Sequence, residues 1–297
     1  MTIDISKHYC LNPAGFHRIA STNWGALHHA RTAICAHGFS RNGRDFDRLA
    51  AALAERDYRV YCPDAVGRGA SDWLTQRSHY NYDQYVRDSA TLVSHATASY
   101  AEASQTPAPP HLDWIGTSMG GMVGMMLAAR PGTPIRRLVL NDIGACISAQ
   151  SLNRIGAYVS TTPTFATLAA YQAHLAEIHA SFGPLGDAGW RHLAEHSYRL
   201  ENGRYLPHYD PAIASAFDEP IEEDVETWDL WTAIEVPTLI IRGEQSDLLS
   251  AETLDRMVEL RPDTQVVEIA DAGHAPALMR EQELEPILAF LMDSAAD

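Results

Sequence analysis

Residues 112–121 read Leu112-Asp113-Trp114-Ile115-Gly116-Thr117-Ser118-Met119-Gly120-Gly121, and an apolar stretch follows from Met122 to Ala129. The first run has the length of a buried strand and the second the length of a helix, so the pattern is strand, tight turn, helix. The glycines in this G-x-S-x-G spacing have a physical reason. A serine at the tip of so sharp a turn is held in strained backbone geometry with its Oγ lifted clear of the sheet, and side chains two places away on either side would collide with neighbouring elements. The next amide, that of Met119, points to the space where an oxyanion would form, at the positive end of a helix dipole.

Outward from this turn, short apolar runs alternate with helical patterns, which is the arrangement that builds a parallel sheet covered on both faces. Strands are expected at Thr32–Ala36, Arg59–Cys62, Leu112–Ile115, Leu138–Asn141, Thr238–Arg242 and Gln265–Ile269, with an antiparallel hairpin around Phe16–Trp24. Helices are expected at Asp45–Glu55, Tyr82–Ala98, Met119–Ala129, Ala251–Leu260 and Leu284–Met292, and Ser104–Pro110, with three prolines, reads as a surface connection. The regular alternation stops after Asp142 and resumes at Val236-Pro237, so residues 143–235 read as a helical insertion interrupting a body made of 1–142 and 236–297. Within it, helical stretches fall near Ser151–Val159, Thr164–Ala180, Trp190–His196 and Glu222–Trp231. Its apolar positions Leu168, Tyr171, Leu175 and Ile178 recur at three and four residues, as packing faces do.

Composition narrows the chemistry. In 297 residues there are 22 Lys plus Arg against 38 Asp plus Glu, for a formal charge of −16, which opposes attraction to nucleic acid or anionic lipid. Lys7 is the single lysine, placed in an N-terminal tail, so P-loop and Schiff-base lysine chemistry have no candidate in the body. Cys10, Cys35, Cys62 and Cys146 form no C-x-x-C pair and suggest no disulfide framework. With Asp4 near the start, no apolar leader and no stretch of ~18 apolar residues, the expected location is the cytoplasm, away from membranes.

At this point the chain resembles the α/β-hydrolase superfamily, from about residue 30 to its end. Further motifs follow in the family's order. His37-Gly38-Phe39 resembles the oxyanion loop, which would make Phe39 the second amide donor beside Met119, and Asp64–Asp72 resembles the loop after the fourth strand. The same stretch is no dinucleotide fingerprint, because Gly67 and Gly69 are followed by Asp72 rather than a third glycine. The family order of serine, acid, histidine leads to Arg242-Gly243-Glu244-Gln245-Ser246-Asp247 and to Asp271-Ala272-Gly273-His274-Ala275-Pro276. His274 is the expected base for Ser118 and Asp247 its expected partner; Asp142, at the end of the preceding strand, is the rival acid, and Asp271 reads as a loop former.

The resemblance implies a fold with a mostly parallel twisted sheet and helices on both faces, with 143–235 as a cap over the site. It also implies a Ser-His-Asp hydrolase that works through an acyl-enzyme without metal or other cofactor, on a small-molecule ester, as a monomer or homodimer. Carboxylic ester hydrolysis comes first because it demands the fewest special residues. A lactonase or a C–C (vinylogous diketone) hydrolase on the same triad is the alternative, and a noncatalytic binding protein of this fold is the rival from another class. Arg41 lies close enough to the oxyanion loop to bind a substrate carboxylate; the plainer reading is an ion pair with Asp45 or Asp47. The aromatics Tyr158, Phe165, Tyr171, Phe182, Trp190 and Tyr209 are as well explained by packing, and none is assigned to the site. His192-Leu193-Ala194-Glu195-His196 matches the H-x-x-E-H string of inverted zinc proteases, but no third ligand is identifiable among 14 histidines, and no metal is assigned.

Overall fold

A computed structural model of the chain describes residues 2–106 and 111–293. The amino-terminal half builds β1 (Ile3–Asn12), β2 (Gly15–Trp24), β3 (Arg31–Ala36), α1 (Asp47–Ala54), β4 (Tyr58–Pro63), α2 (Tyr82–Ser104), β5 (His111–Thr117), α3 (Met119–Ala128) and β6 (Ile135–Asn141). A segment of small elements follows: β7 (Cys146–Ile147), α4 (Ala149–Val159), α5 (Leu168–Ile178), α6 (Gly186–His196), β8 (Tyr198–Glu201), β9 (Arg204–Pro207), β10 (Val225–Glu226) and α7 (Trp228–Thr232). The chain then closes with β11 (Thr238–Gly243), α8 (Ala251–Leu260), β12 (Gln265–Ile269) and α9 (Glu281–Met292).

Eight strands form one sheet in the order β1-β2-β4-β3-β5-β6-β11-β12. The β1–β2 and β2–β4 pairs are antiparallel, and every pair from β4 through β12 is parallel. Each central strand supplies side chains to both faces. Ile34, Trp114, Leu138 and Ile240 enter the core shared with α2 and α3, whereas Cys35, Ile115, Val139 and Ile241 enter the one shared with α1 and α9. That two-sided burial explains why the strands read as unbroken apolar runs.

β6 and β11 are neighbours in the sheet although residues 142–237 separate them in the chain. The departing and returning strands meet again in a short antiparallel ladder, Ile147 opposite Val225 and Cys146 opposite Glu226, that forms a neck under the intervening segment. Three expectations need correction. Lys7 lies within β1, not in a tail, and the stretch expected to be helical at Glu222–Trp231 starts irregular, pairs as β10 at Val225–Glu226 and becomes helical only at Trp228. A hairpin, β8–β9, stands in the intervening segment where none was expected. Of the connection expected at Ser104–Pro110, residues 107–110 lie outside the described residues. Among the described residues no helix is long and apolar enough to cross a membrane.

Candidate active site

Ser118 sits between the end of β5 and the first residue of α3 with φ 51° and ψ −116°, a conformation that L residues rarely adopt. The surrounding hydrogen bonds over-determine it. Its amide donates to the Asn141 carbonyl at the end of β6, and its carbonyl accepts from Gly121 and Met122 as α3 begins. A Cβ at Gly116 would lie 2.3 Å from the Gly120 carbonyl oxygen, and one at Gly120 would lie 2.1 Å from that of Ala36 in β3. The two motif glycines are therefore required by close backbone approach, and their absence of side chains lets β5, α3 and β3 converge beneath the serine.

His274 follows β12 and meets Ser118 in one cleft, whose open volume is about 740 Å³. Its Nδ1 lies 2.7 Å from Asp142 Oδ2. A carboxylate oxygen accepts, so Nδ1 carries the proton and Nε2 holds the lone pair. Asp142 is fully buried and further held by the Gly243 amide on Oδ1 (2.9 Å) and the Ser246 hydroxyl on Oδ2 (2.6 Å). The expected partner of His274 was Asp247, and here the structure gives a different pairing. Asp247 is half-exposed and forms a two-point ion pair with Arg154 of α4 at 2.7 and 2.8 Å. Charge-assisted pairing with that arginine takes Asp247 to the rim, while the Ser246 hydroxyl fills the position beside Asp142. Asp271 pairs with Arg280.

The second candidate oxyanion element is equally braced. His37 donates from Nδ1 to the Gly38 carbonyl (2.7 Å) and accepts the Ala65 amide on Nε2 (2.9 Å), and its burial pushes its pKa down to about 4, so it acts as a neutral strut. Phe39 lines the cleft, and its carbonyl accepts from Nε of Arg68 at 2.9 Å. Arg68 is fully buried, also donates to the Val66 carbonyl and the Tyr85 hydroxyl, and lies 5.0 Å from the centre of the Phe39 ring. Met119, as the first residue of α3, has an amide with no acceptor one turn earlier in its own helix.

A model of the alpha/beta hydrolase family matches residues 33–287. The chain belongs to this family. The 3-hydroxybutyrate-oligomer hydrolase of Cupriavidus necator is 40% identical over 279 residues, which cover 91% of each chain. The 2-(acetamidomethylene)succinate hydrolase of Mesorhizobium japonicum is 28% identical over 80% of this chain and 79% of its own. Among solved structures, one described as that of a putative hydrolase from Rickettsia typhi superposes with a TM-score of 0.87 at 32% identity, covering 98% of this chain and 99% of that one.

In this alpha/beta hydrolase the segment between β6 and β11 supplies one wall of the cleft through Arg154, Ile155, Tyr158, Ile178, His179, Phe182 and Leu193. Three of the six aromatics left unassigned from sequence, Phe165, Tyr171 and Trp190, pack among themselves or against neighbouring rings, whereas Tyr158 and Phe182 reach the cleft. Tyr209 borders an adjoining recess with Arg41 and His179. Arg41 faces the cleft, yet its Nε and Nη2 are taken by Asp45 at 2.8 and 2.7 Å. Neither Ser246 nor His179 is marked by any motif. His179 is buried between Phe182 and Tyr158, and burial, reinforced by Arg41, holds it well below the ordinary histidine range. Arg68, set between two glycines in Gly67-Arg68-Gly69, does carry a signal in the sequence.

Proposed function

We propose that the chain is a serine hydrolase cleaving carboxylic esters, with short oligomers of hydroxyacyl esters of the 3-hydroxybutyrate kind as its substrate class. The observation that carries this reading is the 2.7 Å bond from His274 Nδ1 to the buried Asp142, because it leaves the Nε2 lone pair as the proton acceptor in the cleft that Ser118 also lines. In this reading Nε2 takes the Ser118 proton as Oγ attacks the ester carbonyl, and the amides of Phe39 and Met119 receive the oxyanion. The imidazolium then protonates the departing alkoxide, which leaves as the hydroxyl end of the shortened oligomer. Water, deprotonated by the same Nε2, attacks the acyl-enzyme and releases the acid and free Ser118. Asp142 acts throughout by fixing the tautomer and balancing the imidazolium charge. Residues 143–235 serve as the cap, and their apolar cleft wall suits an acyl chain of a few carbons. The substrate class is supported by the 40% identity to an enzyme named for 3-hydroxybutyrate oligomers.

The test is release of 3-hydroxybutyrate from its dimer and trimer, followed by chromatography, for wild type and Ser118→Ala. Turnover by wild type with a loss of about 10³-fold or more in the variant is expected. Near-native turnover in Ser118→Ala refutes the mechanism. Activity confined to a lactone or a vinylogous diketone, run in parallel, replaces the substrate class while keeping the nucleophile, and ligand binding without turnover on every ester points to a binding protein.

A further inference from the structure

The string His192–His196 has a neighbour that no reading of the sequence supplies. Asp47, the first residue of α1, faces α6, and one ligand atom from each of Asp47, His192 and His196 lies within 4.8 Å of the other two. We propose that these three side chains bind one divalent transition cation of the zinc class, which ties the intervening segment to the sheet-bearing body beside the cleft.

The geometry fits such an ion in several independent ways. Four residues apart on a helix, the two imidazoles share one face, and their centroids are 4.4 Å apart. His196 Nδ1 lies 2.8 Å from the His192 carbonyl, which only accepts, so Nδ1 bears the proton and Nε2 carries the lone pair. That is how a ligating imidazole is ordinarily oriented, by giving its outer N–H to a carbonyl or carboxylate. His192 Nε2 lies 3.5 Å from Asp47 Oδ2. Two donor atoms each about 2.1 Å from one tetrahedral ion are about 3.4 Å apart, so the spacing suits an ion, which His192 binds by giving up the proton that Nε2 now donates to the Arg44 carbonyl at 3.1 Å. Two nitrogens and a carboxylate oxygen select zinc, cobalt, nickel or copper over magnesium or calcium, which take oxygen ligands.

The site differs from the zinc-protease motif that the string resembles. Glu195, the residue such a motif would use as a base, is turned to the exposed flank, where it pairs with Arg191 at 3.0 Å. The role is therefore a clamp. Leu193 of α6 lines the cleft on one side, and Arg41, Asp45 and Phe46, next to Asp47, line it on the other, so an ion held here fastens two cleft walls together. Two features oppose tight binding, the His192 bond to the Arg44 carbonyl and the Arg44 side chain itself. The Arg44 guanidinium holds both oxygens of Asp47 at 2.9 Å, and its charge repels an incoming cation.

The test is titration of chelator-treated, full-length protein with zinc chloride, read by calorimetry, with cobalt(II) absorbance and the melting temperature as second readouts. One zinc per chain is expected, with a rise in melting temperature and the visible bands of a four-coordinate cobalt site. His192→Gln combined with His196→Gln should weaken binding by about 100-fold, and Arg44→Gln should strengthen it severalfold. Absence of saturable binding up to ~1 mM zinc overturns the proposal. So does binding that survives the histidine pair but disappears in Cys10→Ser, since Cys10, His17 and Asp88 form the other cluster of potential ligands among the described residues. If the double variant unfolds, wild-type cobalt spectra without four-coordinate bands refute the site on their own. None of these readouts depends on the ester chemistry.

Discussion

Replacing Asp142 by Asn keeps the size of the side chain and removes only its capacity to accept on both arms. The carboxylate now accepts from Gly243 N on one oxygen and from Ser246 Oγ and His274 Nδ1 on the other. An amide has one accepting oxygen. If that oxygen stays toward Gly243, the NH₂ group faces His274 Nδ1, which must then accept, and the imidazole proton moves to Nε2. A base with its lone pair turned away from the nucleophile cannot take the Ser118 proton. If the amide is flipped, its NH₂ faces the Gly243 N–H, and two donors oppose each other in a fully buried place. The flipped form leaves opposed buried donors while the first form gives Gly243 and His274 each a partner, so the first prevails and the cost falls on the chemical step; loss of the correct tautomer in a triad of this kind is worth about 10⁴ in kcat, or about 5 kcal/mol.

Asp247→Asn is the matched control. It removes a pair with Arg154 in which both side chains are about half exposed, and such a pair contributes at most about 1 kcal/mol. Its kcat should stay within about threefold of wild type. Both variants and the wild type are to be assayed by p-nitrophenyl butyrate hydrolysis across pH, with a thermal melt of each to show that the fold is intact. A folded Asp142→Asn that keeps more than a tenth of wild-type kcat, or an Asp247→Asn that falls by the larger factor, refutes the assignment of the acid.

Four further outcomes follow from local geometry. His37 is neutral in the fold because burial pushes its pKa down to about 4, whereas the unfolded chain takes up that proton near 6.5, so stability should fall as pH drops through this window. The loss from His37 alone approaches about 3 kcal/mol at the acid end, read as urea-unfolding free energy between pH 7 and 4; a flat profile contradicts it. His8, also pushed down to about 4 by burial and stacked on His95, should make His8→Leu less acid-sensitive than wild type in the same titration. Gly120→Ala should cost more than 1–3 kcal/mol and most activity, because the new Cβ meets the Ala36 carbonyl oxygen at 2.1 Å; a melting temperature unchanged from wild type argues against that close approach. Arg41→Gln with Asp45→Asn removes the cleft's ion pair while leaving no lone charge, and KM is expected to change alike for neutral esters and for free-acid oligomers; a selective rise for the free acids assigns Arg41 to the substrate carboxylate.

The parallel strands were legible because burial on both faces leaves nothing but apolar residues to read. β1 was not, and the reason is an inverted pattern. Its outward positions are Ile3, Ile5, Tyr9 and Leu11, all more than half exposed, whereas Asp4, Ser6, His8 and Cys10 face inward. Asp4 and Ser6 have hydrogen-bond partners from elsewhere in the chain, and the His8 ring stacks on His95. Asn23 donates to Asp4 and Ser6, and Arg59 clamps Asp4 from β4. An alternation of this sense looks like a solvated tail until those partners are known. The β8–β9 hairpin did carry a readable signal, the Asn202-Gly203 pair with both residues at positive φ, and it was hidden only by the expectation of a wholly helical insertion.

The acid is a different case, because both carboxylates satisfy the same sequence rule. Asp142 follows β6 and Asp247 follows β11, and these strands lie side by side. On strand spacing alone the β11 end is nearer to His274, since β12 is its direct neighbour and β6 is one strand farther, about 4.8 Å. What reverses the order is the turn beyond β11. The Ser246 amide returns to the Gly243 carbonyl and the Gln245 amide reaches Ala272, which folds the chain tightly across the strand end before Asp247 is reached. Gly243 permits this, for a Cβ there would lie 2.2 Å from the Gly273 carbonyl oxygen. The turn therefore presents a hydroxyl and an amide rather than a carboxylate, and both point at Asp142, which spans the end of β11 to reach the imidazole. Asp247 emerges on the far side, where Arg154, from a helix 93 residues earlier, is waiting. Two long-range contacts thus decide a choice that the local motif leaves open.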